Sequence, residues 1–216
     1  MGRVMQETLL SWQLNGQPQP ALLCSPGMEE ALLRGHLITG RIVDEQQEIR
    51  AITANDAGWQ VETAAGRAPG DLPARLAETP VCKSKKRAQL SQLLRLSERL
   101  MEWNNAQGQH AVLLTDGEKE ALGCDIGRHN ALDKAVGAGI EAGLRLEDAV
   151  MCTSGRLSVE ILAKAAAAGI PILCTKKQVG DLACQWADRL GIAIVQAGPA
   201  PQVYGKADRV NQEETL

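Results

Sequence analysis

Apolar residues recur along the chain in two rhythms, and the change from one to the other divides it. Residues 8–14 and 18–24 are apolar-rich segments meeting at Asn15-Gly16, a dipeptide suited to the positive φ angles of a tight turn, so an opening β-hairpin is predicted. Ser25-Pro26 then reads as an N-cap and first helical position, with Ala31, Leu32, Leu33 and Leu37 following before Gly40 closes the helix. Short strands are predicted at about 49–53 and 59–63, around a turn of Asn55, Asp56 and Gly58. From Ala64 to Pro80 both periods fail, and glycine and proline mark a connector.

Beyond the connector, Leu90, Leu93, Leu94, Leu100, Met101 and Trp103 recur at helical spacing with charged and polar residues between them. The order then reads strand 110–115, strand 120–124, helix 131–143, strand 148–153, helix 158–168, strand 170–175, helix 178–189 and strand 192–196. Strands alternating with helices predict a mostly parallel sheet covered on both faces, because parallel neighbours need a crossover. The expected architecture is α/β: a smaller N-terminal α+β lobe with its connector at 1–80, and a three-layer domain at 81–216 that opens on an antiparallel hairpin.

Composition narrows the function. The chain has 216 residues, no Phe, one Tyr and four Trp, with a formal charge of −3, so it lacks the aromatic platforms and basic groove of a single-strand nucleic-acid binder. No apolar stretch approaches a membrane span and the first residues lack a signal-peptide layout, which predicts a cytoplasmic protein. None of the six cysteines forms a Cys-x-x-Cys pair, so free thiols are expected and no zinc site.

Two turns carry the candidate chemistry. Gly127-Arg128-His129 opens the helix at 131–143, and Ser154-Gly155-Arg156 lies between a strand and the helix at 158–168. The first N–H groups of a helix have no intrahelical partner and sit at its positive end, so each turn suits phosphate or another oxyanion. Either turn alone reads more simply as a solvated connection; in a parallel sheet both would gather at the carboxyl edge of the strands, where ligands bind. His110, before a strand, and His129 are candidate proton carriers or phosphate donors. Cys82 precedes Lys83, Lys85, Lys86 and Arg87, a setting that favours a thiolate, and it also reads as an incidental thiol at a solvated helix start. No triad order, zincin pair or P-loop is present.

With these residues in view, the chain resembles the FdhD family of formate dehydrogenase accessory sulfurtransferases. Asp125-Ile126-Gly127-Arg128-His129-Asn130-Ala131-Leu132-Asp133-Lys134 is similar to the family's D-V-G-R-H-x-A-L-D-K element, and Gln109-His110-Ala111 to its T-H-A-A segment. Ser154-Gly155-Arg156-Leu157-Ser158-Val159-Glu160 is similar to S-[SG]-R-x-S-[FY]-E, and the run Ala168 to Leu173 to the strand that follows. Ser25-Pro26 and the run Gly35 to Val43 are similar to the family's opening segment.

The resemblance implies a cytidine-deaminase-like three-layer α/β/α fold, usually dimeric. It also implies a carrier that takes sulfur as a persulfide on Cys82 from a cysteine desulfurase. The implied recipient is a molybdenum or tungsten bis(molybdopterin guanine dinucleotide) destined for formate dehydrogenase or another molybdoenzyme. The implied cofactor-binding set is Gly127, Arg128, His129, Ser154, Gly155, Arg156 and His110, with the loop Val195, Gln196, Ala197, Gly198, Pro199 and Ala200; a GDP-like nucleotide would share the site. Deaminase chemistry is not implied, since His110-Ala111-Val112 lacks the Glu of H-x-E and no P-C-x-x-C follows. Two departures stand out. Lys85 occupies the second position of the family's Cys-x-x-Cys loop, and the 195–200 loop has Gly198 without the family's following arginine. A diverged relative that binds or delivers the cofactor without carrying sulfur is the alternative. The leading expectation is that both Gly-Arg corners grip one polyanion within reach of Cys82.

Overall fold

A computed structural model describes residues 4–64, 67–68 and 71–212; the rest of the predicted connector, 65–66 and 69–70, lies outside the described residues. Asn15 and Gly16 take φ angles of 48° and 77° and close a hairpin between β2 (Trp12–Leu14) and β3 (Gln17–Pro18). Its outer arms form a second ladder, β1 (Thr8–Leu10) with β4 (Leu22–Cys24). The hairpin is interrupted because β2 also pairs in parallel with β6 (Gly58–Thr63), whose other neighbour is β5 (Ile49–Asn55).

The helix predicted from Ser25-Pro26 is α1 (Glu29–Thr39), with Gly40 as its C-cap. Its start is corrected: Met28 adopts φ 64°, and Ser25 caps nothing. Instead Ser25 N–H donates to Asp125 Oδ2 at 2.9 Å and its hydroxyl accepts from Ile126 N–H at 3.0 Å. The connector also holds a helix that its prolines hid, α2 (Leu72–Glu78), where Asp71 accepts from Ala74 N–H at 2.9 Å. Proline in a first turn removes only a donor that had no partner.

The larger sheet is built from β8 (His110–Thr115), β9 (Glu120–Asp125), β10 (Val150–Thr153), β11 (Ile172–Thr175), β12 (Ala193–Gln196) and β13 (Gln202–Gly205), in the order β13-β12-β11-β10-β8-β9. Only β10, β11 and β12 run parallel, which corrects the mostly parallel expectation. The connections explain it, because β8 to β9 and β12 to β13 are joined by short loops that cannot cross over. The helices are α3 (Leu90–Gln107), α4 (Arg128–Glu141), α5 (Val159–Ala167) and α6 (Asp181–Arg189). A short ladder of β7 (Ala88–Gln89) with β14 (Val210–Asn211) ties the start of α3 to the C-terminal segment.

Successive strand residues supply opposite faces. Ala111, Leu113, Cys152, Cys174 and Val195 pack with Leu93 and Leu100 of α3, while Val112, Leu114, Met151, Leu173 and Ile194 pack with α4, α5 and α6. Burial of both faces is why these strands read as unbroken apolar runs. The N-terminal region shares this core: α1 lies on α4, and a methyl group at Gly35 would meet Asp133 O at 1.8 Å, one at Gly137 Ala31 O at 1.9 Å. Among the described residues no helix is long and apolar enough to cross a membrane.

Candidate functional site

Much of the decapeptide 125–134 builds structure. Asp125 is buried, and its carboxylate accepts from Ser25 N–H, from Gly127 N–H at 2.8 Å and from Asn130 Nδ2 at 3.2 Å, with Lys134 Nζ at 2.8 Å. Lys134, also buried, donates to Ser25 O at 2.8 Å. Eight residues along, Asp133 meets Lys164 Nζ at 2.8 and 2.7 Å, accepts from Thr39 Oγ1 at 2.6 Å and lies 3.2 Å from His36 Nδ1. Burial opposes ionisation of Asp133, but Lys164 and His36 outweigh it and hold the carboxyl well below its ordinary value. Sequence reasoning missed Asp133, Lys134 and Lys164 because their partners are remote. These groups fix α1, α4 and α5 together and so aim the first turn of α4.

That first turn carries the chemistry. Gly127 is the N-cap of α4 and offers no side chain, so the opening N–H groups face outward. The second corner leaves β10, where Ser154 N–H donates to Ala111 O at 2.9 Å and Gly155 O accepts from Thr175 Oγ1 at 2.8 Å. The corners converge: a methyl group at Gly155 would lie 3.4 Å from Arg128 Cβ and 3.5 Å from His110 Nδ1. His110 is driven below its ordinary pKa by burial first, then by Arg128 and Arg156, which puts both guanidinium groups in its field. Arg128 Nε, His129 Nε2 and Ser158 Oγ are buried without a hydrogen-bond partner. His129 Nε2 lies 3.1 Å from Glu160 Oε2 but out of line for a hydrogen bond, and burial, then Lys164, lowers its pKa. A buried donor left unpaired is costly, so Arg128 Nε, on the first residue of α4, is free to meet an acceptor at this corner.

The other expected contributors divide. Ser154 faces inward, its hydroxyl accepting from Ala111 N–H at 2.9 Å. The 195–200 loop reaches the same carboxyl edge, where Ala197 N–H donates to Thr175 O at 2.7 Å. Within it the side chains of Val195 and Ala197 are packed beneath α3, Gln196 is half-buried, and Gly198, Pro199 and Ala200 are exposed.

Cys82 stands elsewhere, and here the expectation is corrected. Its N–H donates to Leu190 O at 2.9 Å and its Sγ lies 3.9 Å from Gly169 O, both at the amino edge of the parallel strands. The segment from Gly169 through β11 to Thr175, whose hydroxyl meets Gly155 O, spans the gap, at most roughly 20 Å at about 3.3 Å per residue. The reason is docking: the segment after α2 is held just before the start of β12, at the opposite end of the parallel strands from the corners. The thiol is half-buried and lines a groove of 540 Å³ with Pro80, Val81, Lys83 and Glu147. Among the described residues no group of three or more His, Cys, Asp or Glu side chains is placed to hold a metal ion.

Fold and site together define a class: an α/β protein whose sheet edge gathers two arginine-bearing corners around buried, unpaired donors. The FdhD/NarQ family profile matches residues 65–211, and the chain belongs to that family. The sulfur carrier protein FdhD of Streptomyces coelicolor is 29% identical over 249 residues, spanning 96% of this chain and 88% of that protein. The sulfur carrier protein FdhD of Mycobacterium tuberculosis is 30% identical over 250 residues, spanning 94% and 90%. A crystal structure from Desulfotalea psychrophila, of a protein assigned as a formate dehydrogenase accessory protein, has the same fold. Its TM-score is 0.82 at 22% identity, covering 95% of this chain and 90% of that one.

Proposed function

We propose that this chain is a sulfur carrier that accepts sulfur on Cys82 and binds a phosphate-bearing pterin cofactor as its cargo at the carboxyl edge. Family membership and the names of its relatives support the carrier role. The convergence of Arg128 and His110 at Gly155, with exposed Arg156 in the same field, carries the binding role, because two cations beside an unpaired donor suit a diphosphate. The cargo that fits is a molybdenum or tungsten bis(molybdopterin guanine dinucleotide), with formate dehydrogenase or another molybdoenzyme downstream. In the loading step the Cys82 thiolate attacks the outer sulfur of a donor persulfide. A new S–S bond forms as the donor's breaks, and the donor leaves as a thiolate, so no outside oxidant is needed.

A second reading is a binder that delivers cofactor without carrying sulfur, favoured by Lys85 in the second loop position and by the distance of Cys82 from the corners. The first of two measurements separates them, and the second tests the binding site that they share. Treatment with cysteine desulfurase and cysteine is expected to add one sulfur to the peptide bearing Cys82 and none to Cys82→Ala; equal labelling of the variant removes the carrier role. GDP is expected to bind about tenfold or more weakly after Arg128→Ala or Arg156→Ala, the scale of one charge-assisted contact, and to be indifferent to Cys82→Ala. A titration without guanine-nucleotide binding counts against both readings.

A further inference from the structure

We propose that Arg209 is a positioning residue for sulfur uptake, holding the Cys82 segment at the amino edge so that its thiol faces a donor; this rests on Cys82 being the acceptor. Arg209 is buried at 7% exposure, and its hydrogen bonds run to main-chain oxygens. Nη1 donates to Ser84 O at 2.6 Å and to Lys86 O at 3.3 Å, Nη2 to Cys82 O at 3.3 Å, and Nε to Gly191 O at 2.8 Å. A rigid planar fork that meets alternate carbonyls of one strand of chain fixes its path, which a flexible ammonium cannot reproduce.

Three other ties act in the same direction: Cys82 N–H to Leu190 O, Lys86 Nζ to Asp116 O at 2.9 Å, and the ladder of β7 with β14 immediately after Arg209. The hold grips the backbone of a residue that lines the open groove, with its Sγ 3.9 Å from Gly169 O. While it persists, a loaded Cys82 stays at the uptake face, up to roughly 20 Å from the arginine corners.

The test compares wild type with Arg209→Ala and Arg209→Lys. Iodoacetamide labelling of Cys82 is measured against labelling of Cys184, a half-buried thiol on α6 that serves as internal control. Initial sulfur loading by cysteine desulfurase is followed alongside. In Arg209→Ala the Cys82 to Cys184 labelling ratio is expected to rise about tenfold, and protein-driven loading to slow by a similar factor, with Arg209→Lys between. An unchanged ratio, including equal acceleration of both thiols, overturns the proposal, as does loading at the wild-type rate. If wild-type Cys82 is never loaded, the acceptor reading fails while the labelling ratio still judges Arg209. Should the variants not fold, amide exchange of wild type decides: residues 82–88 and 209–211 opening together before β10 and β11 supports the hold, and opening only with global unfolding overturns it.

Discussion

Replacing Asp133 with asparagine tests the claim that the family's decapeptide is chiefly a structural device. The carboxylate is 1% exposed and is the counter-ion of Lys164, itself buried, while also receiving Thr39 and His36. Asparagine keeps the shape and can still accept from Thr39, but it strands an ammonium in the interior. Removing one partner of a buried pair costs about 3–5 kcal/mol, a large share of the roughly 5–15 kcal/mol that keeps a domain folded. Urea unfolding at pH 7 is therefore expected to show a lower midpoint at unchanged slope. Adding Lys164→Met to Asp133→Asn should recover more than half of the loss, because an apolar side chain needs no counter-ion.

Acid supplies an independent check. The folded carboxyl titrates well below its ordinary 3.8, so its contribution is complete above that value and is lost as pH falls from there toward the folded value. Wild type should lose stability over that range by as much as about 1.4 kcal/mol per pH unit from this one group, and Asp133→Asn should lack that component. The gap between the two proteins must therefore narrow in acid. A gap below about 1 kcal/mol at pH 7, against the 3–5 expected of a buried pair, or one that is constant from neutral pH to pH 3, would refute the reasoning.

Gly35→Ala drives a methyl group into the carbonyl of Asp133, 1.8 Å away across the α1–α4 contact. A thermal melt should show at least about 1–3 kcal/mol of destabilisation, since backbone on both sides cannot yield; a neutral substitution would mean the helices are farther apart than described. The His110 ring should titrate below 6.5 in NMR spectra of the free protein, and upward of its free value once GDP is present, because a bound phosphate favours the imidazolium. No movement on saturation would place the nucleotide away from His110. Arg156→Ala alone should raise the His110 pKa slightly, since one repelling cation is removed.

The periods of the larger domain were legible in the sequence because periodicity is local. The runs 110–115, 148–153 and 170–175 alternate between two buried faces, and each is followed by a turn signal. The Gly127-Arg128 and Gly155-Arg156 corners were legible for the same reason, since a glycine-arginine turn between a strand and a helix is written in adjacent residues. Their convergence on His110 followed from topology once both strands lay in one sheet.

What only the tertiary structure decided are the pairings made across long stretches of chain. Ser25 reads locally as a cap, but its N–H and hydroxyl are claimed by residues about a hundred positions away. Asp133 looks like one more helix surface carboxylate until α5 brings Lys164 against it. The place of Cys82 was the least legible of all. Nothing in Cys82-Lys83-Ser84-Lys85 encodes an edge of the sheet; Leu190 and Arg209 do, and they act on it through backbone carbonyls and amides that every residue shares. Side-chain pattern reports what a segment is, whereas main-chain hydrogen bonding to distant partners decides where it goes.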